Sequence, residues 1–188
     1  MENKNNATLR LFVAVEMPAE VVVRILAVQQ YLKERNVFEG TYTTPAGMHV
    51  TLKFLGEVNV TSVAQINGAL TEIYHSRLQA KLGPLDVFIA RGRITIIYMR
   101  LICHDMEKLA NKIDMALAPQ FAQETRPFVS HITIARVKSV ASDKKLLGVL
   151  YGITIEPTIF TLHEFVLKES VLTPEGSMYT DVARYPLL

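Results

Sequence analysis

The chain has 188 residues, of which 49% are hydrophobic and 20% are charged, so it carries enough apolar mass for a folded core and does not have the composition of a disordered protein. Its net charge of +2 is too small for wrapping a nucleic-acid duplex or for a polybasic membrane anchor, but it suits a small phosphate-bearing ligand. The single cysteine excludes an intramolecular disulfide and a multi-cysteine metal site, which favours a reducing, cytoplasmic location.

Nothing in the sequence is suited to membrane insertion or secretion. The longest apolar run, 94–103, is interrupted by Arg100 and is far shorter than the ~20 residues of a membrane-spanning helix. Residues 1–6 are polar and lack the apolar region of a signal peptide. We therefore expect a cytoplasmic monomer in which residues 1–188 form one bilobal domain.

Hydrophobic periodicity predicts the secondary structure, with a spacing of two for strands and of three or four for helices. In chain order, the predicted strands are 9–16, 50–55, 85–90, 94–102, 131–137, 153–167 and 178–184. The predicted helices span 21–32, 63–73, 106–117 and 143–150, and turns are predicted at 40–47 and 173–176.

The order strand, helix, loop, strand occurs once in each half of the chain. The first set ends in the strand that begins near His49, and the second ends in the strand that begins at His131. Such a pattern is typical of an old internal duplication. It predicts an α+β fold with two pseudo-symmetric sheet-and-helix lobes that face each other across a central cleft.

Two tetrapeptides occupy equivalent places in the two halves, His49-Val50-Thr51-Leu52 and His131-Ile132-Thr133-Ile134. Because side chains alternate along a strand, each segment places its histidine and threonine on one face and its two aliphatic residues on the other. The repetition predicts one cleft that is lined by a pair of imidazoles.

This pair suits acid–base chemistry on a phosphodiester. One neutral histidine can accept a proton from attacking water while the other, protonated, donates to the leaving oxygen. Thr51 and Thr133 can donate hydrogen bonds to non-bridging phosphate oxygens. Arg136, five residues after His131, adds a charge-assisted bond if the end of its strand turns towards the cleft.

Other chemistries are less well supported. Zinc needs three or four protein ligands, and the two motifs supply only two imidazoles. Covalent catalysis lacks a Gly-x-Ser-x-Gly elbow, and Cys103 reads as a buried small hydrophobe. Of the other histidines, His75 reads as a solvated helix residue, His104 as a capping or surface residue near a helix start, and His163 as a surface partner of Glu164.

Four segments resemble the RNA 2′,3′-cyclic phosphodiesterase branch of the two-histidine phosphoesterase superfamily, historically called 2′-5′ RNA ligases. Residues 10–15 (RLFVAV) resemble its opening strand, and residues 49–56 (HVTLKFLG) its first signature. Residues 126–136 (RPFVSHITIAR) resemble its second signature, and residues 170–176 (SVLTPEG), with Tyr179 beyond, its C-terminal signature.

The resemblance implies a bilobal fold and the opening of 2′,3′-cyclic phosphate at an RNA end to a 2′-phosphate, without a metal or another cofactor. It also implies a weak, reversible 2′-5′ joining of tRNA halves. The partners would be RNA ends or small cyclic nucleotides. By the family pattern His49 is the proton donor and His131 the acceptor, while Thr51, Thr133 and Arg136 hold the phosphate.

The sequence departs from the family pattern near the substrate. Ser130 stands where a proline is common, and Tyr42 and Tyr98 are the aromatic residues near positions where tryptophans are common. The loop at 90–93 is shortened. Two alternatives stay open: a nucleotide- or RNA-binding module without turnover, and a relative that acts on another small cyclic or 2′-5′ phosphodiester.

Overall fold

The computed structural model describes residues 7–173 and 176–188. The strands among them are β1 (Thr8–Glu16), β2 (Glu39–Tyr42), β3 (His49–Asn59), β4 (Leu78–Ala90), β5 (Arg93–Ile102), β6 (His131–Ser139), β7 (Ile159–Leu162), β8 (Glu164–Thr173) and β9 (Gly176–Pro186). The α-helices are α1 (Ala19–Arg35), α2 (Val63–Thr71), α3 (Met106–Leu117) and α4 (Asp143–Tyr151).

The strands form two antiparallel sheets, one in the order β3-β1-β8-β9 and the other in the order β2-β6-β5-β4-β7. Each sheet contains a strand and a return strand that pair and are connected through a helix, β1-α1-β3 in the first sheet and β5-α3-β6 in the second. Between α1 and β3 the chain also forms β2, which belongs to the second sheet. The predicted α+β fold with two sheet-bearing halves is confirmed. Each sheet carries one of the two histidine motifs at the start of its return strand.

The helices bury the stripes that periodicity predicts. In α1 the buried positions are Val21, Ile25, Gln29 and Leu32, and the helix ends at Asn36, whose left-handed backbone lets its N–H reach the last carbonyls. Within the described residues, no helix combines the length and apolar character that crossing a bilayer requires.

Strand β2 lies where the sequence suggested only a turn. Its four residues, EGTY, show no hydrophobic alternation, so periodicity does not reveal it. The strand forms because β6 offers a pairing edge, and Gly40 permits the approach. A Cβ atom on Gly40 would lie 2.1 Å from the carbonyl oxygen of Arg136, so a side chain there would separate the two strands.

The predicted strand 153–167 is wrong, because residues 153–158 lie outside any strand and the rest belongs to two strands in different sheets. β7 pairs with β4 in the second sheet, whereas β8 pairs with β1 in the first, and the chain crosses between the sheets at His163. Two consecutive apolar strands thus belong to different sheets, and the local hydrophobic pattern does not reveal where the chain passes from one sheet to the other.

Strand β4 begins at Leu78 rather than at residue 85, because a register shift between Leu82 and Leu85 absorbs Gly83 and Pro84 within the strand. His75 follows α2 instead of lying on it. The predicted turn at 173–176 and the polar segment 1–6 involve residues outside those that the structure describes.

A buried ion pair joins the first sheet to α3. The side chain of Lys53, on β3, is 5% exposed and donates hydrogen bonds to the carboxylate of Asp114 and to the carbonyl oxygen of Ala122 at 2.9 Å. Because α3 leads into the loop before β6, this contact connects the strand of the first motif to the segment that precedes the second.

Asp114→Ala should lower the free energy of unfolding by about 3 kcal/mol, because it leaves the Lys53 ammonium buried without its carboxylate. Adding Lys53→Met to that variant should restore most of the loss, and urea denaturation measures both. As a control, Asp105→Ala removes an exposed carboxylate at the start of the same helix and should change little. If both carboxylate variants lose equal stability, the buried pair does not have this importance.

Candidate active site

The two motifs have the same pattern of burial over six residues. In both 49–54 and 131–136 the histidine and threonine are half-buried, the second, fourth and fifth residues are buried, and the sixth is exposed. Strict alternation would expose the fifth residue and bury the sixth. Both strands therefore depart from alternation at the same point of the motif.

In the first sheet the departure is a β-bulge. Val13 and Ala14, consecutive in β1, pair with Lys53 and Thr51 of β3, so Leu52 is the extra residue between them. Leu52 and Lys53 consequently both point away from the histidine face into the core.

The second sheet repeats this bulge at the same motif position. Ile97 and Tyr98 of β5 pair with Ala135 and Thr133 of β6, and Ile134 is the extra residue. Ile134 and Ala135 are both fully buried. The agreement of the two bulges extends the evidence for an internal duplication from element order to backbone geometry.

The bulges return the sixth residue of each segment to the histidine side, which is Phe54 in the first and Arg136 in the second. Phe54 is 71% exposed, and its ring lies 6.1 Å from that of Phe12, which in turn lies 5.0 Å from the His49 ring. Strand alternation does not identify Phe54 as a site residue. Its offset from the histidine does, since Phe54 follows His49 by the same five positions by which Arg136 follows His131.

His49 lies in an aromatic environment. Its ring is 5.0 Å from Phe12 and 5.3 Å from Tyr179, which meets it edge-on. Its Nδ1 atom is buried and has no hydrogen-bond partner of standard geometry among the described residues, although the nearby backbone of Ala46 favours the protonated ring.

Burial and, to a smaller extent, the positive charge of Lys168 together lower the pKa of His49 to about 4. Glu16, which pairs with His49 across β1 and β3, opposes this effect. Lys168 itself is 3% exposed and is bonded to the carboxylates of Glu16 and Asp181. Arg184 contacts the same two carboxylates, so a network of fixed charges lies beside the imidazole.

His131 is held in a similar way on the second sheet. Its ring meets Phe88 and Tyr98 edge-on, with centroids 4.9 and 5.4 Å away, and burial lowers its pKa. Its Nδ1 lies 2.7 Å from the carbonyl oxygen of Val129. A carbonyl only accepts, so Nδ1 carries the proton and the lone pair of the neutral ring belongs to Nε2.

The strands that begin at the two histidines, β3 and β6, contact each other although they lie in different sheets. A positive charge on His131 is the smallest of the effects that lower the pKa of His49. Thr51 and Thr133 are half-buried on the same faces as their histidines. Beside His131, the hydroxyl of Ser130 is buried and has no hydrogen-bond partner among the described residues.

The remaining sequence candidates lie apart from this arrangement. His104 is exposed beside Asp105 at the start of α3, and His163 is exposed between β7 and β8, where Glu164 pairs with Arg184 instead. Of the two tyrosines noted from the sequence, Tyr98 contacts His131 whereas Tyr42 packs against Phe38. No group of three or more His, Cys, Asp or Glu residues within the described ranges is arranged to hold a metal ion.

Comparison with known proteins gives a consistent result. The family model described as LigT like Phosphoesterase matches residues 15–98 and 103–179. An RNA 2′,3′-cyclic phosphodiesterase of Methanocaldococcus jannaschii is 26% identical over 172 residues, which cover 91% of this chain and 96% of the relative. One of the same name from Thermotoga maritima is 28% identical over 183 residues and covers 91% of each chain.

Solved structures share the fold. A protein of Thermus thermophilus superposes with a TM-score of 0.77 at 23% identity, covering 95% of this chain and 98% of its own. The LigT protein of E. coli in its apo form gives 0.75 at 25% identity, covering 96% and 98%. The E. coli protein has also been solved in complex with 3′-AMP.

In the ligand-free protein, NMR titration of the imidazoles should give a midpoint near pH 4 for His49 and one below the ordinary 6.5 for His131. Between about pH 6.5 and 4 the unfolded chain then binds more protons than the folded one, so the free energy of unfolding falls as the pH falls through that window. His49→Gln should remove its share of this dependence. The exposed His163→Gln is the control, and a His49 midpoint at or above 6.5 would contradict the buried, neutral imidazole.

Proposed function

The chain belongs to the family of LigT-like phosphoesterases, and from that premise we propose that it hydrolyses RNA 2′,3′-cyclic phosphodiester ends to 2′-phosphomonoesters. The observation that carries the proposal is the pair of imidazoles, each beside a threonine, on two contacting strands with matched bulges. An acid–base pair across a cleft is what an in-line displacement at phosphorus requires.

His131 is the proton acceptor in this proposal. The Val129 carbonyl fixes the proton on Nδ1, so Nε2 can take a proton from the attacking water. The water oxygen bonds to phosphorus, the bond from phosphorus to the ribose O3′ breaks, and His49 gives its proton to O3′. The product carries a 2′-phosphate and a 3′-hydroxyl, and each histidine has changed its protonation state.

His49, as the donor, must be protonated when the substrate is bound. Its pKa of about 4 leaves the ring neutral at pH 7 in the ligand-free protein. An anionic phosphodiester placed beside it favours the charged imidazolium and raises this pKa. The substrate itself therefore helps to charge the acid, and the free protein does not have to keep two buried cations near each other.

The phosphate is held by Thr51, Thr133 and Arg136 in this proposal. The hydroxyls donate to non-bridging oxygens, and the guanidinium of Arg136, brought to the histidine side by the bulge, supplies positive charge. These contacts hold the phosphate in the bound substrate as well as in the transition state.

An aromatic surface beside His49 supports a nucleotide substrate. Phe12 and Tyr179 contact each other and the imidazole, and Phe12 also contacts Phe54, which presents an exposed ring. Nucleobases stack on such rings with little sequence preference. The names of the relatives, RNA 2′,3′-cyclic phosphodiesterase, support the choice of an RNA end as the substrate over an unrelated diester.

We further propose that residues 1–188 act as one bilobal unit, in the cytoplasm and as a monomer, without a metal or other cofactor. RNA ends and small cyclic nucleotides are the proposed partners. Joining of tRNA halves follows from the same displacement with a 5′-hydroxyl in place of water, which gives a 2′-5′ linkage and a free 3′-hydroxyl. Attack of that 3′-hydroxyl on the 2′-5′ linkage reverses it and restores the cyclic phosphate. The main reaction is tested by assaying a panel of cyclic phosphates and identifying the product isomer. Binding of these compounds without turnover would contradict the proposal and favour a nucleotide-binding module.

Replacing either His49 or His131 with Ala should lower kcat/KM for a 2′,3′-cyclic nucleotide by ~10²–10⁴-fold, the usual contribution of a positioned acid or base. The double variant should be little worse than either single one, because the two residues act as a unit. His163→Ala, which removes an exposed histidine, is the control. Near-normal turnover in either single variant would make the assignment wrong.

The same variants separate the two roles. With a nitrophenyl phosphodiester, whose leaving oxygen needs no proton, His49→Ala should lose far less activity than with a ribose leaving group. His131→Ala should lose about the same with both substrates. Rescue of His131→Ala instead would exchange the proposed roles.

Prolonged dialysis against a chelator should leave turnover unchanged, because two imidazoles supply fewer ligands than a catalytic zinc site needs. The measurement compares kcat/KM before and after dialysis, with added zinc or manganese as the control. Loss of activity that either metal restores would contradict a metal-free mechanism and would bring His104 or His163 back into consideration.

A further inference from the structure

The carbonyl group of Ile134, the extra residue of the second bulge, accepts hydrogen bonds from groups outside the β5–β6 pair. It accepts a hydrogen bond from the backbone N–H of Thr43 at 2.9 Å and a second from Nε2 of Gln29, on α1, also at 2.9 Å. The same Nε2 donates to the carbonyl oxygen of Thr43 at 2.8 Å. Gln29 thus uses both of its N–H donors to join the end of β2 to the bulge in β6.

Gln29 is an unusual residue for its position. It is 2% exposed and lies in the buried stripe of α1 between Ile25 and Leu32. An apolar residue would pack there without the cost of desolvating an amide. The two hydrogen bonds offset that cost, and both are made to backbone carbonyl oxygens.

The bulge decides where Arg136 points. If the extra residue at Ile134 were lost or moved along the strand, the side chains beyond it would exchange faces, because the period of a strand is two residues. Arg136 would then leave the side of the sheet that carries His131 and Thr133. A bulge interrupts the β5–β6 ladder, so its position depends on bonds from other elements.

We propose that Gln29 is a positioning residue for phosphate binding, because it anchors the β6 bulge that keeps Arg136 on the histidine side. This inference rests on the proposed function, because the role of Arg136 in phosphate binding belongs to that proposal. Gln29 would then affect substrate affinity although it is buried in a helix and lies outside both histidine motifs.

The test is a double-mutant cycle between Gln29 and Arg136, measured on a 2′,3′-cyclic nucleotide. Gln29→Met keeps the approximate size but removes both donors, and Gln29→Asn is a second variant whose shorter amide does not reach both carbonyls. Each should raise KM by about tenfold, the effect of losing one charge-assisted bond, with a smaller change in kcat. In combination with Arg136→Gln, the KM should be no higher than for Arg136→Gln alone.

Two controls separate positioning from loss of stability. Gln30→Met changes the neighbouring exposed glutamine, which bonds only to Glu34 among its described contacts, and should leave KM unchanged. Leu32→Ala creates a cavity in the same buried stripe and should lower the unfolding free energy without the change in KM.

Several outcomes would overturn the inference while leaving the proposed function intact. These are a normal KM in both Gln29 variants, effects that multiply fully with Arg136→Gln, or a raised KM in Leu32→Ala of the same size. If the wild-type protein does not turn over cyclic phosphates, the proposed function fails, and NMR titration with inorganic phosphate then tests the anchor alone. Equal phosphate affinity of wild type and Gln29→Met would reject it.

Discussion

The β-bulge at the fourth residue of each histidine motif is the constraint on which the rest of the site depends. It places two consecutive residues in the core, Leu52 with Lys53 and Ile134 with Ala135, and so frees the next side chain for the histidine side. In one sheet that side chain is the exposed ring of Phe54, and in the other it is the guanidinium of Arg136. The same bulge, present in both sheets, thus presents two different chemical groups. In the proposed function one of them stacks on a nucleobase and the other binds the phosphate.

The electrostatics of the two histidines follow from the surfaces that hold them. Aromatic rings surround both imidazoles, and removal from water disfavours the charged form of each. Near His49 the positive charge of Lys168 acts in the same direction, while Glu16 opposes it. The ligand-free site therefore favours neutral rings. In the proposed reaction the anionic substrate raises the pKa of the acid, so substrate binding is coupled to protonation.

Much of the fold could be predicted because it depends on local periodicity. The stripes of α1 and α3, the strands that carry the motifs and the repeated order of elements all depend on residues close in sequence. The errors occur where a distant partner decides the structure. The polar segment of β2 becomes a strand only because β6 pairs with it, and the run 153–167 is divided because its two halves join different sheets. For the site, the histidines and threonines were predicted from alternation, whereas Phe54 was missed because alternation fails at a bulge.

The chemical groups and their repetition can be taken from the sequence: two histidines, two threonines at a fixed offset, and a family relationship that the comparisons support. Which neighbouring side chains share the face of those histidines depends on how the strands pair in the folded protein. That outcome depends on register between strands far apart in the chain and on anchors such as Gln29, whose two bonds reach residues 14 and 105 positions away. Register is a property of pairs of segments, and no single segment contains it.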